Sequence, residues 1–259
     1  MDNFVMIRSF DHAGYYETRL ILMILALSIA LFFAFKKKDN NYIVIFLSSA
    51  FFFGIVELIL YVLGMRTELF TISVFGLEIP TNIMWIFQGF TEGGIHGVMG
   101  FLLLDMYTKR SIEGEFKFLR NLFLGMLIII VIFAIIVGLV ARNQPITSIR
   151  PMFGLVNFLY LTSVIIFALI FANIFGGEGI FKYLAIYLLG TLIYVILNLE
   201  IMHILGARYI GIEQTNGVVI TADPFYQVLI MLYSDIYEVT VSRSHYLIIP
   251  LVLGFIKLK

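Results

Sequence analysis

The stretch Asn121–Ala141, NLFLGMLIIIVIFAIIVGLVA, runs for 21 residues without a charged side chain. A helix needs about 20 such residues to cross the hydrocarbon core of a bilayer, because backbone groups there must be bonded within their own segment. The rest of the chain has the same character: 61% of its 259 residues are hydrophobic, 13% are charged and the mean hydropathy is +1.01. A soluble fold cannot bury that much apolar surface. The sequence therefore predicts an integral membrane protein that crosses the bilayer several times.

Other apolar stretches of similar length predict an all-α bundle of seven transmembrane helices, which forms one membrane domain over residues 1–259. The predicted spans are Arg19–Phe35, Tyr42–Met65, Ile83–Tyr107, Asn121–Ala141, Met152–Phe175, Phe181–Ala207 and a seventh region from Phe225 to the C-terminus. The seventh region is longer than one crossing requires, has a polar middle at Asp235–His245 and contains Pro250. Two interpretations fit it: a short external helix before the true span, or a helix broken within the membrane.

Lysine and arginine are unevenly distributed between the two predicted sides of the membrane. One side carries Lys36, Lys37, Lys38, Lys109, Arg110, Lys117, Arg120, Lys182, Lys257 and Lys259. The other side carries Arg8, Arg19, Arg66, Arg142, Arg150 and Arg208, and Arg243 is assigned to neither. Positively charged loops stay preferentially in the cytoplasm, so this bias predicts the N-terminus outside and the C-terminus inside.

The acidic residues suggest a weak internal repeat. Glu57 and Glu200 are 143 residues apart, and so are Glu92 and Asp235. Such a repeat would pair residues 19–107 with residues 152–259 and leave the helix at 121–141 as a linker, a 3+1+3 arrangement. Both halves would have the same orientation, as in the parallel repeats of some transporters.

Several ionisable residues fall inside the predicted spans, which is unusual. They are Glu57, Glu92, His96, Glu200 and His203, and a broken seventh helix would add Asp235 and Glu238. A bare charge at the bilayer centre costs at least about 2.5–3.5 kcal/mol on insertion scales, so each needs a partner, a proton, an ion or water. Counted along the helices, all lie in the outer half of the membrane or near its middle. A convergent cluster is therefore geometrically allowed.

The spacing of these residues predicts a metal site. Glu92 and His96 are four residues apart, while Glu200 and His203 are three apart, so each pair shares a helix face. Glu-x-x-His motifs joined by carboxylates from other helices are the ligands of di-iron and di-manganese proteins. Oxygen and imidazole ligands without thiolate suit iron, manganese or zinc, and zinc would need three of them plus an open water position. The predicted metal ligands are Glu57, Glu92, His96, Glu200, His203, Asp235 and Glu238, with Glu92 and His96 as catalytic residues.

Structural explanations stand beside this prediction. Glu200 and His203 lie near a helix end and could face interfacial water, and Glu57 could be a neutral acid bonded to Tyr61 or to backbone. The segment Gln88–Gly100 contains five glycines, and small residues spaced four apart are typical of tight helix packing in membranes. Packing explains the glycines but not the glutamate and histidine among them.

The composition also excludes several classes of protein. The chain has no cysteine, which rules out disulfide frameworks, thiolate metal sites and a cysteine nucleophile. Its 17 basic and 17 acidic residues balance, so no strongly basic face is available for nucleic acid. No lysine lies between Lys182 and Lys257, which excludes a retinal Schiff base in the seventh helix.

Three functions fit these observations. The first is a membrane-embedded enzyme that uses a carboxylate and histidine site, with a divalent metal ion as cofactor, on a lipid or isoprenoid-like substrate. The second is a small-solute transporter coupled to protons or to a cation. The third is a non-catalytic scaffold or assembly subunit whose polar groups only bond helices together. The sequence favours the first.

Overall fold

The computed structural model describes residues 3–62, 72–80, 83–214 and 217–258, and the chain is mostly helical. Within these residues five helices are long and apolar enough to cross a membrane: Asp11–Lys36, Asn41–Ile59, Glu113–Ala141, Phe158–Phe175 and Ile180–Ile204. They coincide with the first, second, fourth, fifth and sixth predicted spans. By length and composition they fit a membrane-embedded protein. The end of the second predicted span at Met65, and the charged residues Arg66 and Lys259, lie outside the described residues.

Helices and short strands alternate along the chain. The helices are α1 Tyr16–Lys36, α2 Asn41–Val62, α3 Met84–Gln88, α4 Gly94–Thr108, α5 Glu113–Ala141, α6 Leu155–Phe175, α7 Ile180–Ile204, α8 Pro224–Tyr233 and α9 Ser244–Val252. The strands are β1 Asn3–Arg8, β2 Ser73–Val74, β3 Leu77–Glu78, β4 Ser148–Pro151, β5 Arg208–Glu213 and β6 Val219–Thr221.

The third and seventh predicted spans are helical but interrupted. A π-helical turn at Gly89–Gly93 joins α3 to α4. In the seventh region α8 begins at a cap in which Asp223 accepts the N–H groups of Phe225 and Tyr226. It then passes through a π-helical turn at Ser234–Thr240 and a short 3₁₀ turn before α9. Crossing of the membrane by these two regions, and with it the seven-helix count, stays a prediction.

Glycines allow the third region to pack closely on α2. A Cβ atom added to Gly93 would collide with the backbone carbonyl of Ser49, and one added to Gly89 would collide with that of Ala50. A Cβ on Gly97 would meet the Ser49 hydroxyl. The packing explanation of this glycine stripe is therefore confirmed.

The all-α prediction is wrong for the connections between helices. Within the described residues β4, β1, β5 and β6 form an antiparallel sheet in that order. The central strand β1 pairs Arg8 with both Ser148 and Arg208. A search for apolar runs of about 20 residues cannot detect strands of three to six residues. We call the end of the bundle that carries this sheet the sheet end.

Other connections meet at the opposite end. The Asn41 side chain forms hydrogen bonds with both backbone groups of Lys257, at 2.9 and 3.0 Å. Lys109 Nζ lies 3.1 Å from Asp105 and 3.9 Å from Asp39. The α1–α2 connection, the end of α4 and the C-terminal segment therefore lie together, away from the sheet.

Candidate functional site

A cavity of about 170 Å³ lies between the sheet and the helices. Strands β1, β4 and β5 line one part of it, while α1, α2, α4 and α7 line another. The charged residues of its wall are Arg8, Arg19, Glu57, Glu92, Arg150, Arg208, Glu238 and Arg243, and the imidazole of His96 joins them. Five guanidinium groups and three carboxylates therefore line the cavity.

The cavity brings together four of the seven predicted site residues. Glu57 comes from α2, Glu92 from the first π-helical turn, His96 from α4 and Glu238 from the second π-helical turn. The other three do not line it. His203 points elsewhere, since its Nδ1 forms a 2.8 Å hydrogen bond with the backbone carbonyl of Arg208.

Arginine side chains form ion pairs with three of the carboxylates that were predicted as metal ligands. Arg208 donates from two nitrogens to Asp235 Oδ1, each at 3.1 Å, and its Nη1 lies 3.5 Å from Glu200. Arg150 Nη2 lies 2.6 Å from Glu238 Oε2. Buried carboxylates and guanidiniums neutralise each other in such pairs, and loss of one partner leaves an uncompensated charge. These pairs hold the sheet against the second π-helical turn.

His96 is held in one orientation inside the protein. Its side chain is 3% exposed, and its Nδ1 lies 2.6 Å from the backbone carbonyl of Glu92. A carbonyl oxygen only accepts, so we assign the proton of the neutral ring to Nδ1. Nε2 then carries the lone pair. The ring packs edge-on against Tyr194 at 4.9 Å and stacks with Phe53 at 6.4 Å.

Two arginines of the cavity wall each contact one of the two aromatic rings that pack on His96. The Arg19 guanidinium lies 4.7 Å from the Tyr15 ring and 5.5 Å from the Tyr194 ring. Its Nη2 donates to the Tyr15 hydroxyl at 2.8 Å. The Arg243 guanidinium lies 4.5 Å from the Phe53 ring. Both cations are therefore held by aromatic faces next to His96.

Some donors of these two arginines are not satisfied by the protein. Among the described residues, Arg19 Nε and Nη1 and Arg243 Nε are buried without a hydrogen-bond partner. Buried polar groups in proteins nearly always have partners, and an unpaired one costs about 1–3 kcal/mol, more when it is charged. Such donors are suited to an anionic ligand. The site can thus hold an anion and exchange a proton through His96.

The sequence did not reveal the arginines as site residues. Arg8, Arg19, Arg150 and Arg208 were interpreted as loop charges that set the orientation, and Arg243 was left unassigned. Their position at the ends of apolar stretches was the available signal. Only the sheet shows that these ends fold back over a cavity.

The predicted metal centre is not assembled as a compact ligand set. Among the described residues, no group of three or more histidine, aspartate or glutamate side chains is placed to hold a metal ion. Glu200, Asp235 and Glu238 interact with arginines instead. Metal binding by Glu57, Glu92 and His96 stays a prediction.

Comparison of the chain with protein-family models, with curated proteins and with solved structures finds no match.

Proposed function

We propose that the protein is a membrane-embedded enzyme that binds the polar end of a lipid or isoprenoid-like substrate in the cavity below the sheet. The observation that carries this proposal is the buried His96 between two aromatic-held arginines, in a chain whose long helices are apolar. The arginines bind and orient the substrate. His96 accepts or donates a proton at Nε2, and Glu92 supplies a carboxylate beside it.

A seven-helix arrangement with the N-terminus outside belongs to the same proposal. Strands β1, β4 and β5 place the N-terminal segment and the connections after α5 and α7 at the sheet end. Asp39, Lys109 and Lys257 lie at the opposite end. The two interrupted regions connect these ends, which supports seven crossings. With the proposed orientation, the cavity would lie in the outer half of the membrane.

Product formation from a lipid mixture tests the enzymatic proposal. The purified protein in nanodiscs of total membrane lipid is compared with its His96→Gln and Glu92→Gln variants, and the lipids are analysed by mass spectrometry. His203→Gln is the matched control, because His203 lies outside the cavity. We expect new lipid species with the unchanged protein and with His203→Gln, and at least a hundredfold less with His96→Gln. Equal turnover by His96→Gln would overturn the assignment of the site.

A transporter is the second candidate, and the π-helical turns favour it. Both interruptions occur beside the cavity, and discontinuous helices are typical of transporter binding sites. Glu92 and Asp235, which the proposed repeat aligns, each lie in one of these turns. Uptake of an anionic solute into proteoliposomes that is lost in Glu92→Gln, without chemical change of the solute, would favour this function over catalysis.

A scaffold role predicts a different result. The buried charges would then serve only to form the Arg208–Asp235 and Arg150–Glu238 pairs, which hold the sheet in place. His96→Gln would leave both turnover and uptake unchanged while the protein kept its function in cells.

A further inference from the structure

The unsatisfied donors of the cavity indicate what kind of anion it binds. Arg19 is 3% exposed, and two of its three nitrogens have no acceptor among the described residues. A guanidinium keeps its charge even when it is buried, so it cannot relieve this deficit by losing a proton. The Tyr15 and Tyr194 rings stabilise the cation. The Tyr15 hydroxyl accepts a hydrogen bond from Nη2, but neither tyrosine accepts one from Nε or Nη1.

The neighbouring charges do not supply the missing acceptors. Arg208 and Arg150 are bound to Asp235 and Glu238. Within the described parts of the chain, neither Arg19 nor Arg243 has a carboxylate oxygen within ion-pair distance. Their strongest contacts are aromatic rings and tyrosine hydroxyls. Arg8 also lines the cavity without an ion pair to a described carboxylate, but its Nε donates to the Ser148 hydroxyl. Arg19 and Arg243 are therefore the cavity cations whose buried nitrogens lack an acceptor among the described residues.

The placement of the two guanidiniums favours a tetrahedral anion. Arg19 lies on α1 and Arg243 lies in the turn before α9, and each contacts a different ring that packs on His96. A planar carboxylate is matched by the fork of one guanidinium. A phosphoryl group presents oxygens in several directions and can accept from two guanidiniums that approach from separate elements.

We infer that the cavity binds a phosphoryl group between Arg19 and Arg243, carried by an amphipathic substrate. This inference rests on the proposed function and names the substrate class of the same site. A volume of about 170 Å³ holds a headgroup but not a long apolar chain. Val56 of α2 and Leu161 of α6 line the cavity beside the charged wall, so apolar side chains are available there to the first carbons of an apolar tail.

Binding of defined amphiphiles tests this inference without any turnover. The probes are dodecyl phosphate, dodecanoate and inorganic phosphate, each titrated into the purified protein in nanodiscs with calorimetric detection. We expect dodecyl phosphate to bind at least tenfold more tightly than the carboxylate and more tightly than inorganic phosphate. Equal binding of dodecanoate would overturn the choice of a phosphoryl group. Equal binding of inorganic phosphate would overturn the amphipathic substrate and indicate a free phosphate.

Variants connect the binding to the two arginines. Arg19→Gln and Arg243→Gln should each weaken dodecyl phosphate binding at least tenfold, while Arg142→Gln, at an exposed position on the α5–β4 connection, should not. Arg19→Lys is used if Arg19→Gln does not fold, because lysine keeps a cation at the buried position. This variant should bind dodecyl phosphate more weakly than the unchanged protein, because an ammonium lacks the forked donor geometry of a guanidinium. Unaltered binding in Arg19→Lys and Arg243→Gln would overturn the inference. Tight binding of dodecyl phosphate by a protein that forms no lipid product would contradict the enzymatic function but not this inference.

Discussion

The guanidinium of Arg208 lies 3.1 Å from Oδ1 of Asp235, and both side chains are only 2% exposed. Arg208 belongs to β5 and Asp235 to the second π-helical turn, so this buried pair joins the sheet to the helices. Ser234 adds a hydrogen bond from the same turn, at 3.2 Å from Arg208 Nη2. Together with the Arg150–Glu238 pair, this contact holds the sheet against the second π-helical turn.

Removal of the acidic partner should destabilise the protein strongly. Asp235→Asn leaves the buried Arg208 without its main counterion, and we expect the free energy of unfolding to fall by about 3–5 kcal/mol. Unfolding in mixed micelles, followed by circular dichroism, measures the loss. The double variant Arg208→Gln/Asp235→Asn should lose less than the sum of the two single changes, because no charge remains unpaired. A single variant as stable as the unchanged protein would contradict this role of the pair.

The contact between the glycine stripe and α2 gives a second prediction. Gly93→Ala places a methyl group against the Ser49 carbonyl and should cost about 1–3 kcal/mol of stability. Gly125→Ala is the matched control on α5, where an added Cβ meets nothing within 4 Å. The control should be neutral or slightly stabilising, because alanine is the better helix former. Equal effects of both changes on the same unfolding assay would show that the close approach is not required.

The proposed topology predicts opposite labelling of two exposed positions. The natural chain has no cysteine, so Arg142→Cys and Lys37→Cys each introduce a single thiol. In intact cells a membrane-impermeant maleimide should label Arg142→Cys at the sheet end and should reach Lys37→Cys only after permeabilisation. The reverse pattern would invert the orientation, and labelling of both in intact cells would contradict the crossing of α1.

The metal content of the purified protein tests whether Glu57, Glu92 and His96 bind a metal ion. If Glu57, Glu92 and His96 hold iron, manganese or zinc, the purified protein should carry a near-stoichiometric amount by elemental analysis, and Glu92→Ala should lose it. His203→Gln should keep it, because that ring lies outside the cavity. A folded, active, metal-free protein would contradict metal binding and leave the proton-transfer role of His96 intact.

The long helices were predictable because their signal is local. Asn121–Ala141 is apolar throughout, and the structure places it within α5. The π-helical turn at Ser234–Thr240 overlaps the polar middle of the seventh region, which had indicated a broken helix or an external one. The turn at Gly89–Gly93 gave no such signal, because helical patterns continue on either side of it. A wide turn adds one residue to a helix without changing its composition.

The sheet and the arginine wall depend on distant pairing. Arg8 lies opposite Arg208, 200 residues further along the chain, and β4 has only four residues. Nothing in the composition of such short segments indicates their partner. Glu57, Glu92, His96 and Glu238, which the sequence singled out because charge is rare in apolar stretches, all line the cavity. The arginines were not recognised as cavity residues, because the same residue type is ordinary at membrane boundaries.

The central place of β1 has a consequence for biosynthesis. Its hydrogen-bond partners lie after α5 and after α7, so one edge of β1 stays unpaired until β4 is made and the other until β5 is made. Newly inserted molecules therefore pass through a period in which helices are in place but ligand cannot yet be retained, and translation arrested before residue 208 should yield a membrane-inserted but empty precursor.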